Sequence, residues 1–109
     1  MHFHVVVIVA FKSEFIDWKK DNPILGYQVV LGMNCKSFGE AASLAYNEAL
    51  KLHGKSIAQL YVQEMSLTAI DKNSWSDEVL AQINAVHMDL PGLYYASNLL
   101  FLDSLVSDE

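Results

Sequence analysis

The chain contains no arginine; its seven basic residues are all lysines. Bidentate recognition of guanine, phosphate and carboxylate groups rests on the guanidinium fork. Its absence argues against a sequence-reading nucleic-acid binder and against an enzyme that clamps phosphorylated or carboxylated substrates. The sign of the charge argues the same way: a net charge of −6 over 109 residues leaves no basic stripe for a phosphate backbone. One cysteine, Cys35, makes no internal disulfide and no thiolate zinc site by itself. A lone thiol fits a reducing compartment, so a cytoplasmic location is expected. With only two prolines, no linker, no repeat and no low-complexity tract, the expectation is a single domain over 1–109, with an acidic tail at 104–109 that frays. No apolar stretch approaches the ~20 residues that span a bilayer. The apolar start, Met1 to Phe11, is short and has no basic residues before it. It reads as a strand rather than a signal peptide, and no membrane partner is expected.

What is present is a 52% hydrophobic chain, enough to build a core at this size. Residues 2–11 carry an unbroken apolar run, Val5 to Ala10, as in a strand covered on both faces. Phe11, Phe15 and Trp18 fall at helical spacing, predicting a short helix from Ser13 to Lys20 that ends before Pro23. Residues 27–35 alternate, with Tyr27, Val29, Leu31, Met33 and Cys35 on one side and Gln28, Val30, Gly32 and Asn34 on a wetter one. Ser37-Phe38-Gly39-Glu40 is a capping box that opens a helix with Phe38, Ala42, Ala45, Ala49 and Leu52 inward. His53-Gly54 closes it, with Lys51 and Lys55 suited to its negative end.

Residues 57–70 fit both periodicities. A strand, bulged near Glu64 where the alternation slips, is the better sequel to a helix that Gly54 has ended. Ser74-Trp75-Ser76-Asp77 predicts a further helix to about Val86, and Leu93 to Leu102 predicts a hairpin about Ser97-Asn98. Strands and helices in this order give an α+β fold: a mixed or antiparallel sheet with helices mainly on one face, ferredoxin-like or a variant of it.

Few residues suggest chemistry. His2 and His4 share a strand face, and His87 and Asp89 repeat that spacing. Three imidazoles and a carboxylate would suit zinc or iron if they met. The plainer reading leaves His2 and His4 at a fraying terminus and His87 at a helix end. No H-E-x-x-H pattern supports a metal, and no metal or other cofactor is expected. Gly54-Lys55-Ser56 lacks the earlier glycine of a phosphate-binding loop and follows a helix instead of preceding one. Cys35 lies on the apolar side of its strand, as a structural cysteine does. Asp77 and Glu78 diverge on a helix and make no catalytic pair. No catalytic residue is assigned, and a non-enzymatic role is expected.

The positive feature is the second half of the chain. Residues 56–109 hold eight acids and one lysine, Lys72, whereas residues 1–55 hold five acids and six lysines. Aromatic side chains sit among those acids. Charge steers a partner of opposite sign, and Trp and Tyr are the residue types that anchor interfaces. The candidate partner-binding set is therefore Glu64, Asp71, Trp75, Asp77, Glu78, Asp89, Tyr94 and Tyr95, and the partner is a basic protein. The plainer alternative is an acidic surface that only keeps the protein soluble, with Trp75 in the core.

In plan, the capped alanine-rich helix Ser37–Gly54, the strand Leu60–Ala69 and the late hairpin Pro91–Asn98 resemble the immunity proteins of bacterial polymorphic and contact-dependent toxin systems. The resemblance implies a cytoplasmic inhibitor that binds one toxin domain, often a basic nuclease, and carries no catalytic residues. The alternative is a small ferredoxin-like enzyme or ligand-binding dimer with His2, His4 or His87 in its pocket. Pairing of two copies through an exposed strand edge is compatible with either.

Overall fold

The computed structural model describes residues 1–54 and 57–104. Lys55, Ser56 and the tail from 105 onward, which include the expected helix-end lysine and frayed acids, lie outside the described residues. The elements in chain order are β1 (His2–Phe11), β2 (Gly26–Asn34), α1 (Phe38–Lys51), β3 (Leu60–Ile70), α2 (Asp77–Leu80), α3 (Ala85–Met88), β4 (Gly92–Ala96) and β5 (Leu100–Leu102).

The strands form one antiparallel sheet in the order β3-β1-β2-β4, with β5 also on β2. Because β2 and β3 both run antiparallel to β1, they are parallel to each other. The β2–α1–β3 connection thus steps across β1, the split β-α-β unit of ferredoxin-like folds. The second half departs from that plan, since residues 71–91 return to the sheet through one-turn helices. The architecture is α+β, as expected from the sequence.

Alternation along β1 and β2 decides which face is sealed. Phe3, Val5, Val7 and Val9 join Tyr27, Val29, Leu31 and Met33 in a fully buried layer against Ala41, Ala45 and Ala49 of α1. The three alanines let the helix lie close to the sheet, and the Tyr27 hydroxyl donates to the Ala49 carbonyl at 2.6 Å, so a fully buried phenol is satisfied. Ser37 caps α1 by accepting from the Glu40 amide at 3.1 Å. Gly54 takes a positive φ of 78° just beyond the helix, a conformation glycine adopts without Cβ strain. Cys35 is buried, and burial pushes its thiol pKa up, with Glu40 adding to the effect.

Four local expectations are corrected. The inward stripe of α1 keeps the expected Ala45 and Ala49 but is completed by Ala41 and Leu50, leaving Phe38 and Leu52 exposed and Ala42 half-buried. The helix predicted from Ser13 is a single 3-10 turn, Ser13–Phe15. Ile16 is already extended, Asp17 accepts from the Lys19 amide in a turn, and Asn22 takes φ 55°. The Asp17 bond to the backbone competes with a helix. The helix predicted from Ser74 to Val86 is two one-turn helices. Ser76, rather than Ser74, caps α2, and Asn84 caps α3 by accepting from the Val86 amide, so the chain restarts in a new direction and Met88 is buried while Val86 is exposed.

The predicted hairpin is instead one interrupted edge. Both β4 and β5 pair with β2, and Ser97 fills the gap with two bonds to Val30, one through its amide and one through its hydroxyl. The bulge expected near Glu64 is present: Ile8 faces Glu64 and Val9 faces Val62, leaving Gln63 as the extra residue.

Candidate interaction face

The other face of the sheet presents His2, His4, Val6 and Ile8 of β1 and Val30, Gly32 and Asn34 of β2. Toward the His2 end it is covered by residues 71–90 and by the tyrosines of β4. A second core forms there from Trp75, Ile83 and Met88, with Val30, Ile70, Val79, Leu80, Tyr94 and Tyr95 against it. Gly32 is why the indole fits. A Cβ at that position would meet Trp75 Cζ2 at 2.7 Å and Tyr94 Cε1 at 3.0 Å. Glycine inside a strand signals such an approach, and this was a clue available in the sequence.

The polar atoms of this layer form a chain. Trp75 Nε1 donates to the Tyr94 hydroxyl at 2.9 Å, and that hydroxyl lies 3.2 Å from His2 Nδ1. In the neutral tautomer with Nδ1 unprotonated, the Tyr94 hydroxyl donates to it. The His2 pKa is lowered, first by burial, then by the N-terminal ammonium and Lys72, against a smaller upward pull from Asp89 and Asp71. Burial also pushes the Tyr94 hydroxyl up. His4 sits against the Trp75 ring, 5.3 Å between centroids, and Tyr95 lies on another side of Trp75 at 5.6 Å. Asn34 ties α3 down by donating from Nδ2 to the Met88 carbonyl at 3.2 Å.

The acids lie around this core. Asp71 caps a 3-10 turn by accepting from the Asn73 amide, Asp77 and Glu78 occupy the first turn of α2, and Asp89 follows α3. All four are exposed. Asp89 pairs with Lys72 at 3.3 Å, an exposed contact worth at most about 1 kcal/mol. Glu64 is not in this group; it faces Ile8 on β3, six residues before Ile70 and some 20 Å down the strand by the ordinary rise. Trp75 is only 7% exposed, so it holds the layer together and offers a partner little. Tyr94 and Tyr95 are half-buried at the margin.

His2 and His4 are engaged by Tyr94 and Trp75, while His87 lies exposed in α3. Among the described residues no three of His, Cys, Asp and Glu converge in a way that could hold a metal ion. Likewise among the described residues, no helix is long and apolar enough to cross a membrane. Comparison with protein-family models, curated proteins and solved structures finds no match to this chain.

Proposed function

We propose that this chain works by binding a basic protein through the face formed by residues 71–95, as an immunity-type inhibitor binds and covers a toxin domain. One observation carries the reading: four exposed acids, Asp71, Asp77, Glu78 and Asp89, stand on a single segment that is packed against the sheet by Trp75, Ile83 and Met88. Fixed charges of one sign on a rigid support are what electrostatic steering needs, and Lys72 is the only cation in the segment. Tyr94 and Tyr95 lie at the edge of the acids, where amphipathic rings make contact at little entropic cost. A basic nuclease domain is the fitting partner, because carboxylates in its cleft replace the phosphates it expects and are not cleaved.

The test is affinity capture from the source cells with tagged wild-type chain and with Asp77→Lys/Glu78→Lys. The expected result is a basic protein retained by the wild type, about tenfold less by the variant, and inactive while bound. Equal capture by both chains would contradict the reading.

A further inference from the structure

We propose that two copies of this chain pair through β3 in antiparallel register about a dyad at Leu67, with the two α1 helices side by side over the joint. The strand supplies the first half of the argument. β3 is the outer strand of the sheet and has 11 residues. Its one edge-blocking device is the bulge at Gln63; beyond it, 64–70 has no proline, no lysine and one charge, Glu64. The opposite edge is protected by being short and broken, five residues in β4 and three in β5.

The bulge at Gln63 leaves 64–70 as the regular part of β3, and its midpoint is Leu67. Pairing about that midpoint sets Leu67 against its copy, Met65 against Ala69 and Ser66 against Thr68. Apolar side chains meet on the α1 face and hydroxyls meet on the other. Both are favourable cross-strand pairs. Each Glu64 falls opposite Ile70 of the other copy, so the two carboxylates end about 20 Å apart at the ends of the joint and the line between them is neutral.

The helix places the dyad at the same level. Phe38 packs on Phe3 with 4.9 Å between ring centroids, and Phe3 is opposite Ala69. Leu67 lies two strand residues further along, about 7 Å, which is between four and five residues of helix and falls at Ala42 or Ser43. The flank of α1 formed by Glu40, Ser43, Leu44 and Asn47 faces Pro91 and Gly92 beside β4, so Ala42 and Tyr46 are on the β3 flank and the dyad level falls at Ala42.

The helix lies over β1 and β3 and, to a lesser degree, over β2. A dyad outside β3 would therefore bring the two helix axes to between about 10 and 14 Å, close enough for large side chains to span the gap. At the crossing the side chain is small, Ala42. Four residues to either side are Phe38 and Tyr46, 52% and 46% exposed in the single chain. In an antiparallel helix pair each Phe38 meets the other copy's Tyr46, so the joint covers both rings. The dyad runs through the sheet, which keeps both α1 helices on one side and presents both acidic faces on the other.

Sedimentation equilibrium at about 100 µM reads the outcome directly. The expected mass is twice the 12.2 kDa of the chain; a mass of one chain would overturn the pairing. Ser66 and Thr68 are exposed, so charges there leave the single chain folded. Ser66→Glu/Thr68→Glu sets like charges opposite each other across the joint and should weaken the dimer about tenfold, whereas Ser66→Lys/Thr68→Glu sets opposite charges there and should preserve it. Equal behaviour of the two variants would refute the register about Leu67. Tyr46→Glu should likewise weaken the dimer, and an unchanged constant would refute the helix contact.

Discussion

The Trp75 indole lies on the backbone of Gly32, so close that a single added methyl group would stand 2.7 Å from the ring. That contact joins the acidic segment to the sheet. Gly32→Ala should cost about 1–3 kcal/mol, because the ring has Tyr94 and Tyr95 on its other sides and cannot retreat without displacing them. Urea unfolding monitored at the two tryptophans would measure the loss, and a variant as stable as wild type would contradict the packing.

The Tyr94 hydroxyl takes the Trp75 N–H and meets His2, so Tyr94→Phe leaves an indole donor without its acceptor in a part-buried site. The expected loss is about 1–2 kcal/mol by denaturant midpoint. Tyr95→Phe is the control, since its hydroxyl has no role in that chain of bonds, and it should cost much less.

His2 gives a pH dependence whose sign is fixed by the lowered folded pKa. The unfolded chain takes up a proton near the ordinary value of 6.5, while the folded chain resists it. The stability that His2 supplies is therefore complete above 6.5 and is lost as pH falls through the lower folded value. Thermal unfolding across this window should show Tm falling toward acid, and His2→Phe should flatten that part of the profile. An unchanged slope in the variant would assign the dependence to other groups.

The Ser37 cap is a local test of the capping box. Ser37→Ala removes the acceptor for the Glu40 amide and should cost about 1 kcal/mol, while Ser74→Ala, at the serine that does not cap α2, should cost almost nothing. Paired urea titrations decide between them.

These contrasts show what the chain's order made legible. The strands β1 and β2 and helix α1 are readable because each has a sustained period or a strong cap, whereas β3 fits two periods and is legible only as the sequel to the helix that Gly54 ends, with its bulge marked by a slip in the alternation. The segment 75–88 was misread because Trp75, Val79, Ile83 and Val86 keep helical spacing while Asn84 offers a rival cap, and only packing against the sheet selects the break. Ser97-Asn98 was misread as a turn because the partner that straightens it, Val30, is 67 positions away. Within the site, the acids and tyrosines are visible, but His2 as the hydrogen-bond partner of Tyr94 and Gly32 as the seat of Trp75 depend on long-range register. Glu64 was grouped with the others by charge alone, and the strand carries it away from them.

The central claim is that the acids of residues 71–90 recruit a basic protein. Its most direct test is the association rate with the captured partner, measured by stopped flow over a range of salt, for wild type and Asp77→Lys/Glu78→Lys. The account predicts a wild-type rate that falls steeply with salt, and a variant about tenfold slower at low salt with a flattened slope. A variant with the wild-type rate and the wild-type slope would contradict it.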